Sequence, residues 1–373
     1  MKIFVTGGAG FIGKWLIRCL PTDAEIVIVD SIDEQVHKSQ SEFAPEQLER
    51  ALCIKADIRD QDAYASAMEG SDVIVHLASQ TGTGQSMYEI SKYIQHNVDG
   101  TAKLLEVISK LLHKPRRIVL TSSRAVYGEG AFTNGSSVQY SKGRNLEDLQ
   151  SGKWEIYDNG QELSPLPMKE DYLPNPTSIY GLTKLWQEQL ISNYAQNQNI
   201  DYTIFRLQNV YGPEQELRNP YTGIIGIFTS LITQKGEVEL FEDGKMTRDF
   251  VYVKDVAMAL KAAIYYQNDL STIINVGSGK ATSLLELVNL IANVAGKDLK
   301  INYSGRFRVG DIRHAVADMS RYVDVFSEFQ PTSLEEGMVS YLKWYFEQDP
   351  LSHGALIESL AEMEKKKLLL TSK

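Results

Sequence analysis

Short apolar runs alternate with amphipathic stretches along the first half of the chain. The runs KIFVTG, EIVIVD, ALCIKAD, SDVIVHLA and RRIVLTSS are continuous and rich in β-branched residues, which indicates strands buried on both faces. The intervening stretches FIGKWLIRCL and NVDGTAKLLEVISKLLHK have helical spacing. Strands that alternate with helices in this way predict an α/β fold with a doubly wound parallel sheet of the Rossmann type.

The pattern changes twice farther along the chain. From about residue 128 to 176 the sequence is polar without clear periodicity, and its length predicts a functional insertion. A helix around Tyr180 and the strand DYTIFRL follow, and beyond Asn209 the predicted elements become shorter. We therefore predict a Rossmann domain over 1–210, a smaller C-terminal α/β lobe over 211–348 with some segments that return to the first domain, and an extension over 349–373.

Composition excludes several classes of protein. The 373 residues carry a net charge of −10 with dispersed Lys and Arg, so no nucleic-acid partner is expected. Cys19 and Cys53 have no metal-ligand spacing and no disulfide framework, which favours reduced thiols and a cytoplasmic protein. No run approaches the roughly 20 apolar residues of a membrane helix, so no membrane partner is expected. The helical spacing in ALIESLAEMEKKK indicates a packed or fraying terminal helix.

The segment VTGGAGFIG places glycines between a predicted strand and a predicted helix. Gly7, Gly10 and Gly13 permit a tight turn and a close approach of the backbone to a pyrophosphate. The helix that begins at Phe11 and Ile12 adds free N–H groups and the positive end of its dipole. The segment therefore predicts a dinucleotide-binding turn.

Two carboxylates follow the next strands. Asp30 ends EIVIVD, where it can accept hydrogen bonds from an adenosine ribose and would repel a 2′-phosphate, which favours NAD over NADP. Asp57 lies in KADIRD, next to Ile58, after the third strand. It could meet the adenine amine or cap a helix, and the sequence leaves both interpretations open.

A tyrosine and a lysine four positions apart suggest proton transfer. Tyr180 and Lys184, in TSIYGLTKLWQEQL, lie on one face of a predicted helix. A free tyrosine has a pKa of about 10, and a nearby ammonium together with a cationic nicotinamide would favour the phenolate. The strand RRIVLTSS brings Ser122 and Ser123 to the carboxyl end of the sheet, where such folds bind ligands. These residues together predict a redox site with a tyrosine base.

The glycine turn, the Ser-x-x-Val-Tyr-Gly segment and the Tyr-x-x-x-Lys pair resemble the extended short-chain dehydrogenase/reductases over roughly residues 1 to 345. Within them, the chain is most similar to the nucleotide-sugar epimerases and dehydratases. The resemblance implies bound NAD, a nucleotide-diphosphate sugar as substrate, Ser123 on the reacting hydroxyl, Tyr180 as base and Lys184 on the nicotinamide ribose. It also implies further cofactor contacts at Leu77, Ala78, Ser79, Asn97 and Ser122.

The resemblance assigns the substrate to residues in the second half of the chain. It implies diphosphate contacts for Asn209 and Arg248, and places Arg308 and Asp311 at the nucleotide. A guanidinium suits a phosphate because it donates two parallel hydrogen bonds, which favours this role, and the alternative for either arginine is an ion pair on the surface. Two further residues have alternatives that the sequence leaves open: Phe241 could flank the base or lie in the core, and Arg124 could contact substrate or form an ion pair under the insertion.

The segment before Val-Tyr-Gly limits the reactions that the family resemblance allows. Dehydratases of the family carry Thr-Asp-Glu before Val-Tyr-Gly, whereas Ser123, Arg124 and Ala125 stand here, so elimination of water is not expected. SSRAVYGEGAF and LFEDGKMTRDFVYV resemble the dTDP-L-rhamnose 4-epimerases, which interconvert dTDP-L-rhamnose and dTDP-6-deoxy-L-talose. The paired cysteines common in their insertion are missing, so no metal is expected.

Because Asp30 favours NAD and a cofactor regenerated in each cycle suits an epimerase, we predict a nucleotide-sugar 4-epimerase, and several alternatives stay open. A keto-sugar reductase, a UDP-hexose 4-epimerase, a UDP-uronic acid decarboxylase and a non-catalytic NAD sensor would share parts of the pattern. The helices TAKLLEVISKLLHK and YGLTKLWQEQLISNYAQNQ are amphipathic. The resemblance implies that they form a homodimer interface, although they could also pack within one chain.

Overall fold

The computed structural model describes residues 1–34, 36–37, 42–141, 143–217, 223–327, 330–348 and 354–372, with the backbone alone for 354–359. Residues 349–353 and 373 of the predicted extension lie outside this range. The chain divides into two compact units. The sheet unit comprises Met1–Ser123, Ile179–Leu207 and Val253–Val276, and the second unit comprises Arg124–Ser178, Gln208–Tyr252 and Gly277–Lys373. Because the second unit also takes in the insertion, it is not the smaller of the two.

The elements are numbered in chain order. The strands are β1 (Lys2–Thr6), β2 (Glu25–Asp30), β3 (Leu52–Lys55), β4 (Val73–His76), β5 (Arg117–Ser123), β6 (Ala131–Thr133), β7 (Val138–Tyr140), β8 (Tyr157–Asp158), β9 (Gln161–Glu162), β10 (Ser164–Pro165), β11 (Asp201–Leu207), β12 (Asn209–Tyr211), β13 (Glu237–Leu240), β14 (Thr247–Arg248), β15 (Phe250–Tyr252), β16 (Thr272–Val276), β17 (Thr282–Ser283), β18 (Lys300–Tyr303), β19 (Arg306–Arg308) and β20 (Leu369–Thr371). The α-helices are α1 (Phe11–Cys19), α2 (Pro45–Arg50), α3 (Ala65–Met68), α4 (Thr83–Ser86), α5 (Ile90–Tyr93), α6 (Gly100–Lys110), α7 (Leu146–Gln150), α8 (Ile179–Gln198), α9 (Ile224–Lys235), α10 (Val253–Tyr265), α11 (Leu284–Ala295), α12 (Ser320–Phe326), α13 (Leu334–Tyr345) and α14 (Gly354–Lys365).

The sheet unit is built on one parallel sheet. Within the described residues its seven strands run in the order β16-β11-β5-β4-β1-β2-β3, and each neighbouring pair is parallel. Helices α6 and α8 pack together, and α1 packs on α10. Apolar residues of the strands and of α6 and α8 share one buried cluster that includes Phe4, Ile74, Leu104, Ile118, Ile191 and Ile204. The predicted Rossmann-type fold class is confirmed.

The second unit consists of small sheets around a separate core. Helices α9, α11 and α13 and strands β12, β13 and β15 contribute to one buried apolar cluster. The predicted helices and strands beyond Asn209 are present as α9, α11, β13 and β15. The predicted insertion contains elements that its polar sequence did not indicate: β6, β7 and β10 form a small sheet, and β8 and β9 form a hairpin. Only a few apolar residues, Phe132, Ile156 and Leu163, make its buried cluster, which is too few for a periodic pattern.

Two features are absent from the part of the chain that the structure describes. No helix there combines the length and the apolar character that crossing a bilayer requires. The same residues contain no group of three or more His, Cys, Asp or Glu side chains placed to hold a metal ion.

Candidate active site

The glycine turn lies between β1 and α1, as its sequence predicts. Gly7 adopts a left-handed backbone conformation with φ of 71°, and a Cβ at that position would lie 2.5 Å from the backbone N of Ala78. A Cβ at Gly13 would lie 2.3 Å from the carbonyl O of Gly8. Gly10 is the N-cap of α1 and provides no side-chain cap, so the first N–H groups of the helix are available to an external acceptor. The turn therefore fits a bound pyrophosphate.

Asp30 holds this turn in place. One carboxylate oxygen accepts a hydrogen bond from the N–H of Ala9 (3.0 Å), and the other accepts one from Ile32 (2.8 Å). Burial raises the pKa of Asp30, and His37, whose Nε2 lies 3.7 Å from the carboxylate, opposes that rise. The sequence did not point to His37. Asp30 retains lone pairs that a ribose hydroxyl could use.

The segment after β4 is fixed by Asn97. Asn97 is fully buried, and its amide exchanges two hydrogen bonds with the backbone of Gln80 (2.7 and 3.1 Å) and donates a third to Thr183 (3.0 Å). These bonds occupy both amide hydrogens, so Asn97 orders the segment that contains the predicted cofactor residues. These residues, Leu77, Ala78 and Ser79, are partly exposed.

Asp57 has a partner that the sequence analysis did not consider. Both carboxylate oxygens accept hydrogen bonds from the guanidinium of Arg59 (2.8 and 2.7 Å), and this contact lowers the pKa of Asp57. The helix-cap alternative is wrong, because the short 3₁₀ segment that follows begins after Asp60. Ile58 is buried in the core of the sheet unit.

Tyr180 and Lys184 lie one turn apart at the start of α8. The N–H of Tyr180 donates to the hydroxyl of Ser86 (3.0 Å), and the Tyr180 ring meets Tyr93 edge-on at 6.4 Å between centroids. Lys184 is only 2% exposed. Burial lowers the pKa of Lys184 to about 7, although Glu188 opposes the shift. The helix thus places a buried amine one turn from a partly exposed phenol.

The two serines at the end of β5 have different surroundings. Ser122 is buried and donates its hydroxyl to Glu188, which also forms an ion pair with Arg206 (2.8 Å). The hydroxyl hydrogen of Ser122 is therefore used inside the sheet unit and is not available to a cofactor. Ser123 is the last residue of β5 and is partly exposed. The sequence analysis missed Glu188, although it lies four positions after Lys184 on the same helix face.

His76 is a second residue that sequence reasoning missed. Its ring lies at the end of β4 and makes hydrogen bonds with the hydroxyls of Thr6 (2.7 Å) and Thr101 (2.9 Å), and with the amide of Gln187 (3.2 Å). Burial, with a smaller contribution from Lys184, lowers the pKa of His76 to about 3. A neutral histidine therefore joins β1, β4, α6 and α8 behind Lys184. Its place at the end of a buried strand was the available signal.

Arg248 of the second unit is bound by its own surroundings. It is 6% exposed, and its two terminal nitrogens donate to the carbonyls of Thr247, Arg313 and Ile312 and to the carboxylate of Asp311 (3.1 Å). These bonds occupy all four terminal hydrogens. Arg248 thus does form an ion pair, with Asp311, but its guanidinium is buried and not on the surface as the sequence alternative assumed.

Arg308 is a less satisfied cation. Its Nε is buried and has no hydrogen-bond partner among the described residues, and its guanidinium lies 5.4 Å from the ring centroid of Phe241. Burial lowers the pKa of Arg308, while Asp311 opposes that change. Burial by itself would raise the pKa of Asp311, but Arg248 and Arg308 outweigh it and hold that pKa below its usual value. Phe241 itself is partly exposed. Since it also lies beside the Arg308 guanidinium, it is not an ordinary core residue.

Arg124 and Asn209 meet directly, since Nε of Arg124 donates to the side-chain oxygen of Asn209 (2.8 Å). Nε of Arg124 is therefore bound by an amide oxygen and not by the carboxylate that the ion-pair alternative would require. Sequence reasoning also missed a buried network that joins the insertion to Arg313, which is fully buried. Arg313 pairs with Glu155, Glu242 and Asp243, and Glu242 also pairs with Arg144 (2.7 Å).

Comparison with known proteins agrees with this geometry. The profile of the NAD dependent epimerase/dehydratase family matches residues 3–277. A dTDP-L-rhamnose 4-epimerase from Burkholderia thailandensis is 38% identical over 350 residues, which cover 92% of this chain and 94% of that protein. The solved UDP-N-acetylglucosamine 4-epimerase of Methanobrevibacter ruminantium M1 superposes with a TM-score of 0.75 at 28% identity, over 93% of this chain and 99% of that one. UDP-glucose 4-epimerase of Thermotoga maritima gives 0.74 at 26% identity, with the same coverage.

The family profile matches most of the chain and therefore identifies the family. The protein belongs to the NAD dependent epimerase/dehydratase family, and NAD is its cofactor. The resemblance inferred from the glycine turn and the Tyr-x-x-x-Lys pair is thereby confirmed at the level of the family.

Proposed function

We propose that the protein is a nucleotide-sugar 4-epimerase that acts on a dTDP-6-deoxyhexose, dTDP-L-rhamnose or dTDP-6-deoxy-L-talose, by transient oxidation at C4. The observation that carries the proposal is the arrangement of α8 and β5. Tyr180 lies in the first turn of α8, Lys184 is buried one turn later, and Ser123 ends the strand on which this helix packs. The similarity to a dTDP-L-rhamnose 4-epimerase supports the choice of sugar.

The sheet unit is the proposed NAD-binding domain. Gly7, Gly10 and Gly13 with the start of α1 would receive the pyrophosphate, because the glycines permit the close-packed turn and the first N–H groups of α1 have no side-chain cap. Asp30 would accept from the adenosine ribose, and Asp57 with Ile58 would border the adenine. Held by these residues, NAD would supply a reversible acceptor for the hydride of the sugar C4. The remaining proposed contacts are Phe11, Ile12, Leu77, Ala78, Ser79, Asn97 and Ser122.

Tyr180 is the proposed base. It takes the proton of the sugar 4-hydroxyl and returns it after the hydride has been restored on the other face. Lys184 would bind the nicotinamide ribose, and in its protonated form would favour the phenolate. Ser123 would hold the reacting oxygen by a hydrogen bond. His76, Glu188 and Arg206 do not touch the sugar in this scheme but fix the positions of Lys184 and β5.

The second unit is the proposed substrate-binding lobe. Arg308 is suited to an anionic diphosphate because it is a partly exposed cation with a buried Nε–H that lacks a partner among the described residues. Asn209 and Arg124 would assist, and Phe241 would border the nucleobase. Arg248 has only its Nε left for a phosphate, so we assign it mainly to holding Asp311 and the segment that follows β19.

The segment Ser123–Arg124–Ala125 supports epimerisation over dehydration. Loss of water needs an acid and a base beside the tyrosine, and neither Arg124 nor Ala125 can serve as a carboxylic acid. The redox-neutral reaction then leaves the sugar as the only compound that changes. A 4-keto-sugar reductase is the alternative, and it would consume reduced cofactor.

One assay tests these alternatives. Purified protein is incubated without added NADH with dTDP-L-rhamnose, UDP-galactose or UDP-N-acetylglucosamine, and the products are identified by NMR. We expect redox-neutral conversion of dTDP-L-rhamnose to its C4 epimer. Conversion of a UDP-sugar alone would reject the proposed substrate but keep the reaction. Absence of conversion, with turnover of a keto-sugar only when NADH is supplied, would reject the epimerase.

We also propose that the protein acts as a homodimer. Met87, Ile90 and Ile94 are 39%, 44% and 37% exposed along the helical stretch that leads into α6, an apolar surface that a second copy could cover. Light scattering during size-exclusion chromatography tests the mass in solution.

A cytoplasmic location is our further proposal. Cys19 and Cys53 are free and half-buried, and burial raises the pKa of both thiols. Unpaired thiols of this kind are compatible with a reducing compartment. Fractionation of cells that express the tagged protein tests this location.

A further inference from the structure

The C-terminal segment 354–372 is attached to the strand that carries Arg308. After α14 the chain reverses through Lys367, whose φ is 57°, and continues as β20. β20 pairs with β19 in antiparallel register, with Leu369 opposite Arg308. Hydrogen bonds from Val309 N to Leu368 O and from Ser372 N to Gly305 O, both 2.9 Å, extend the pairing at its two ends. Within the described residues, β20 is the only strand that forms a sheet with β19.

The register of β19 decides where its arginines point. Phe307 is fully buried, and its ring lies 6.0 Å from that of Trp154 in the insertion. Arg306 and Arg308, one position to either side, face the other way, and each guanidinium lies 5.4 Å from the ring centroid of Phe241. A shift of one residue would exchange these faces. Whatever fixes β19 therefore also fixes the two cations beside Phe241.

The C-terminal segment supplies both apolar and charged anchors. Leu369 is 3% exposed and Met363 of α14 is 4% exposed. Glu364 pairs with Arg306, which also pairs with Glu239 of β13 (3.3 Å). The segment thus buries apolar side chains and adds a carboxylate at the cation next to Arg308. A three-residue strand without a partner has little stability of its own, so these contacts determine how well β19 is ordered.

We propose that segment 354–372 positions Arg308 and Phe241 for the nucleotide end of the substrate, with Leu369 and Glu364 as positioning residues. This rests on the proposed function, in which the second unit binds the nucleotide diphosphate. The segment belongs to the second unit, whereas Tyr180, Lys184 and Ser123 belong to the sheet unit. Its loss should therefore weaken nucleotide binding and leave the chemical step and NAD binding unchanged.

A matched pair of substitutions tests the role of β20. Leu369→Asn places an amide in the buried position opposite Arg308, while Thr371→Asn places the same amide two residues on, where the side chain is exposed. Calorimetry with dTDP and steady-state kinetics are then compared. We expect Leu369→Asn to raise the Kd for dTDP and the KM about tenfold, with kcat and NAD content unchanged. Thr371→Asn should stay within about twofold of wild type, as surface substitutions usually do.

A second pair tests the ion pair and remains informative if Leu369→Asn fails to fold. Glu364→Gln removes one of the two carboxylate partners of Arg306 and leaves Glu239, whereas Glu362→Gln on the same helix removes only a surface pair with Lys366. We expect a rise of about threefold in the Kd for dTDP for Glu364→Gln alone, the size of a modest exposed pair.

The outcomes separate this proposal from the proposed function. If wild-type protein binds neither dTDP nor UDP, the proposed nucleotide-sugar function falls, and the positioning role with it. If the wild type binds dTDP and both pairs of variants bind it equally well, the positioning role alone is rejected. A joint fall in kcat, NAD content and dTDP affinity for Glu364→Gln would also reject it, because the segment would then support the fold in general.

Discussion

The two units hold their candidate residues in different ways. In the sheet unit these residues follow regular elements: Tyr180 opens α8, Ser123 closes β5 and the glycines link β1 to α1. In the second unit, Arg248 and Arg308 lie on strands of two and three residues. Most of their surroundings are side chains and carbonyls from distant parts of the chain.

This difference shows when the role of a residue can be inferred from a sequence motif alone. Where backbone geometry creates the site, as in the glycine turn, the spacing in the sequence already contains the geometry. Where side chains create it, each residue acts according to partners that the spacing does not reveal. Arg248 matches a phosphate-binding position of the family, yet its terminal hydrogens are occupied within the protein.

The largest effect is expected in the sheet unit, for Tyr180→Phe. Removal of the hydroxyl takes away the proposed base, and we expect kcat to fall by about 10³-fold. NAD content and the Kd for dTDP should stay near their wild-type values, because the phenol is not proposed to anchor the nucleotide. Kinetics with dTDP-L-rhamnose, absorbance of bound cofactor and calorimetry measure the three quantities.

Tyr194→Phe is the matched control for this variant. It removes a hydroxyl from the same helix, and that hydroxyl has no hydrogen-bond partner within the described residues. Its kcat should be unchanged. If Tyr180→Phe kept a substantial part of the activity, or if both variants lost it equally, the sheet unit would not contain the base as proposed.

The next effect concerns stability in the second unit. Arg248→Met removes one hydrogen bond from Asp311 and from each of three carbonyls and breaks the buried ion pair, and we expect the free energy of unfolding to fall by about 3 kcal/mol, as for other broken buried pairs. Arg308→Met should lower it less and should weaken dTDP binding more. Thermal melting and calorimetry on both variants measure the contrast.

A larger effect of Arg248→Met on dTDP binding than on stability would support the diphosphate contact that the family resemblance implies for Arg248. If Arg248→Met melted like wild type but bound dTDP far more weakly than Arg308→Met, Arg248 would be the diphosphate ligand. The family motif would then predict the role of a residue in the second unit as well as it does in the sheet unit.

The contrast explains how much the sequence could predict. The parallel sheet, the glycine turn, Asp30 at the end of β2 and the Tyr180 helix follow from local periodicity and from turn chemistry, which a single sequence contains. The small sheets of the insertion do not, because strands of two or three residues have no readable period.

Contacts between distant residues were equally out of reach. Ser122 lies opposite Arg206 in the register of β5 and β11, and Glu188 bridges them, so the hydroxyl expected near the cofactor is used inside the protein. Arg313 pairs with Glu155, 158 residues away in the chain. Only the fold brings such partners together, and no motif contains both.

The last expected effect is a dependence of stability on pH, caused by Lys184. Burial lowers the pKa of Lys184 to about 7, while an unfolded chain holds this proton up to a pH of about 10.4. Between these values the unfolded state binds the extra proton, so rising pH stabilises the folded state by up to about 1.4 kcal/mol per pH unit. Below about pH 7 both states are protonated, and burial of the charge is a constant cost to stability.

Lys184→Met removes this contribution, since methionine has similar length and no charge. In NAD-free protein we expect the variant to be more stable than wild type near pH 7, and the difference to shrink as the pH rises toward about 9. The comparison cancels groups that titrate alike in both proteins, and the neighbours Glu188 and His76 are retained. Parallel melting curves across that range would show that Lys184 stays charged in the folded state. The polar network of Glu188, Arg206 and His76 would then compensate the buried charge, and the sheet unit, like the second unit, would depend on side-chain partners that its motif does not show.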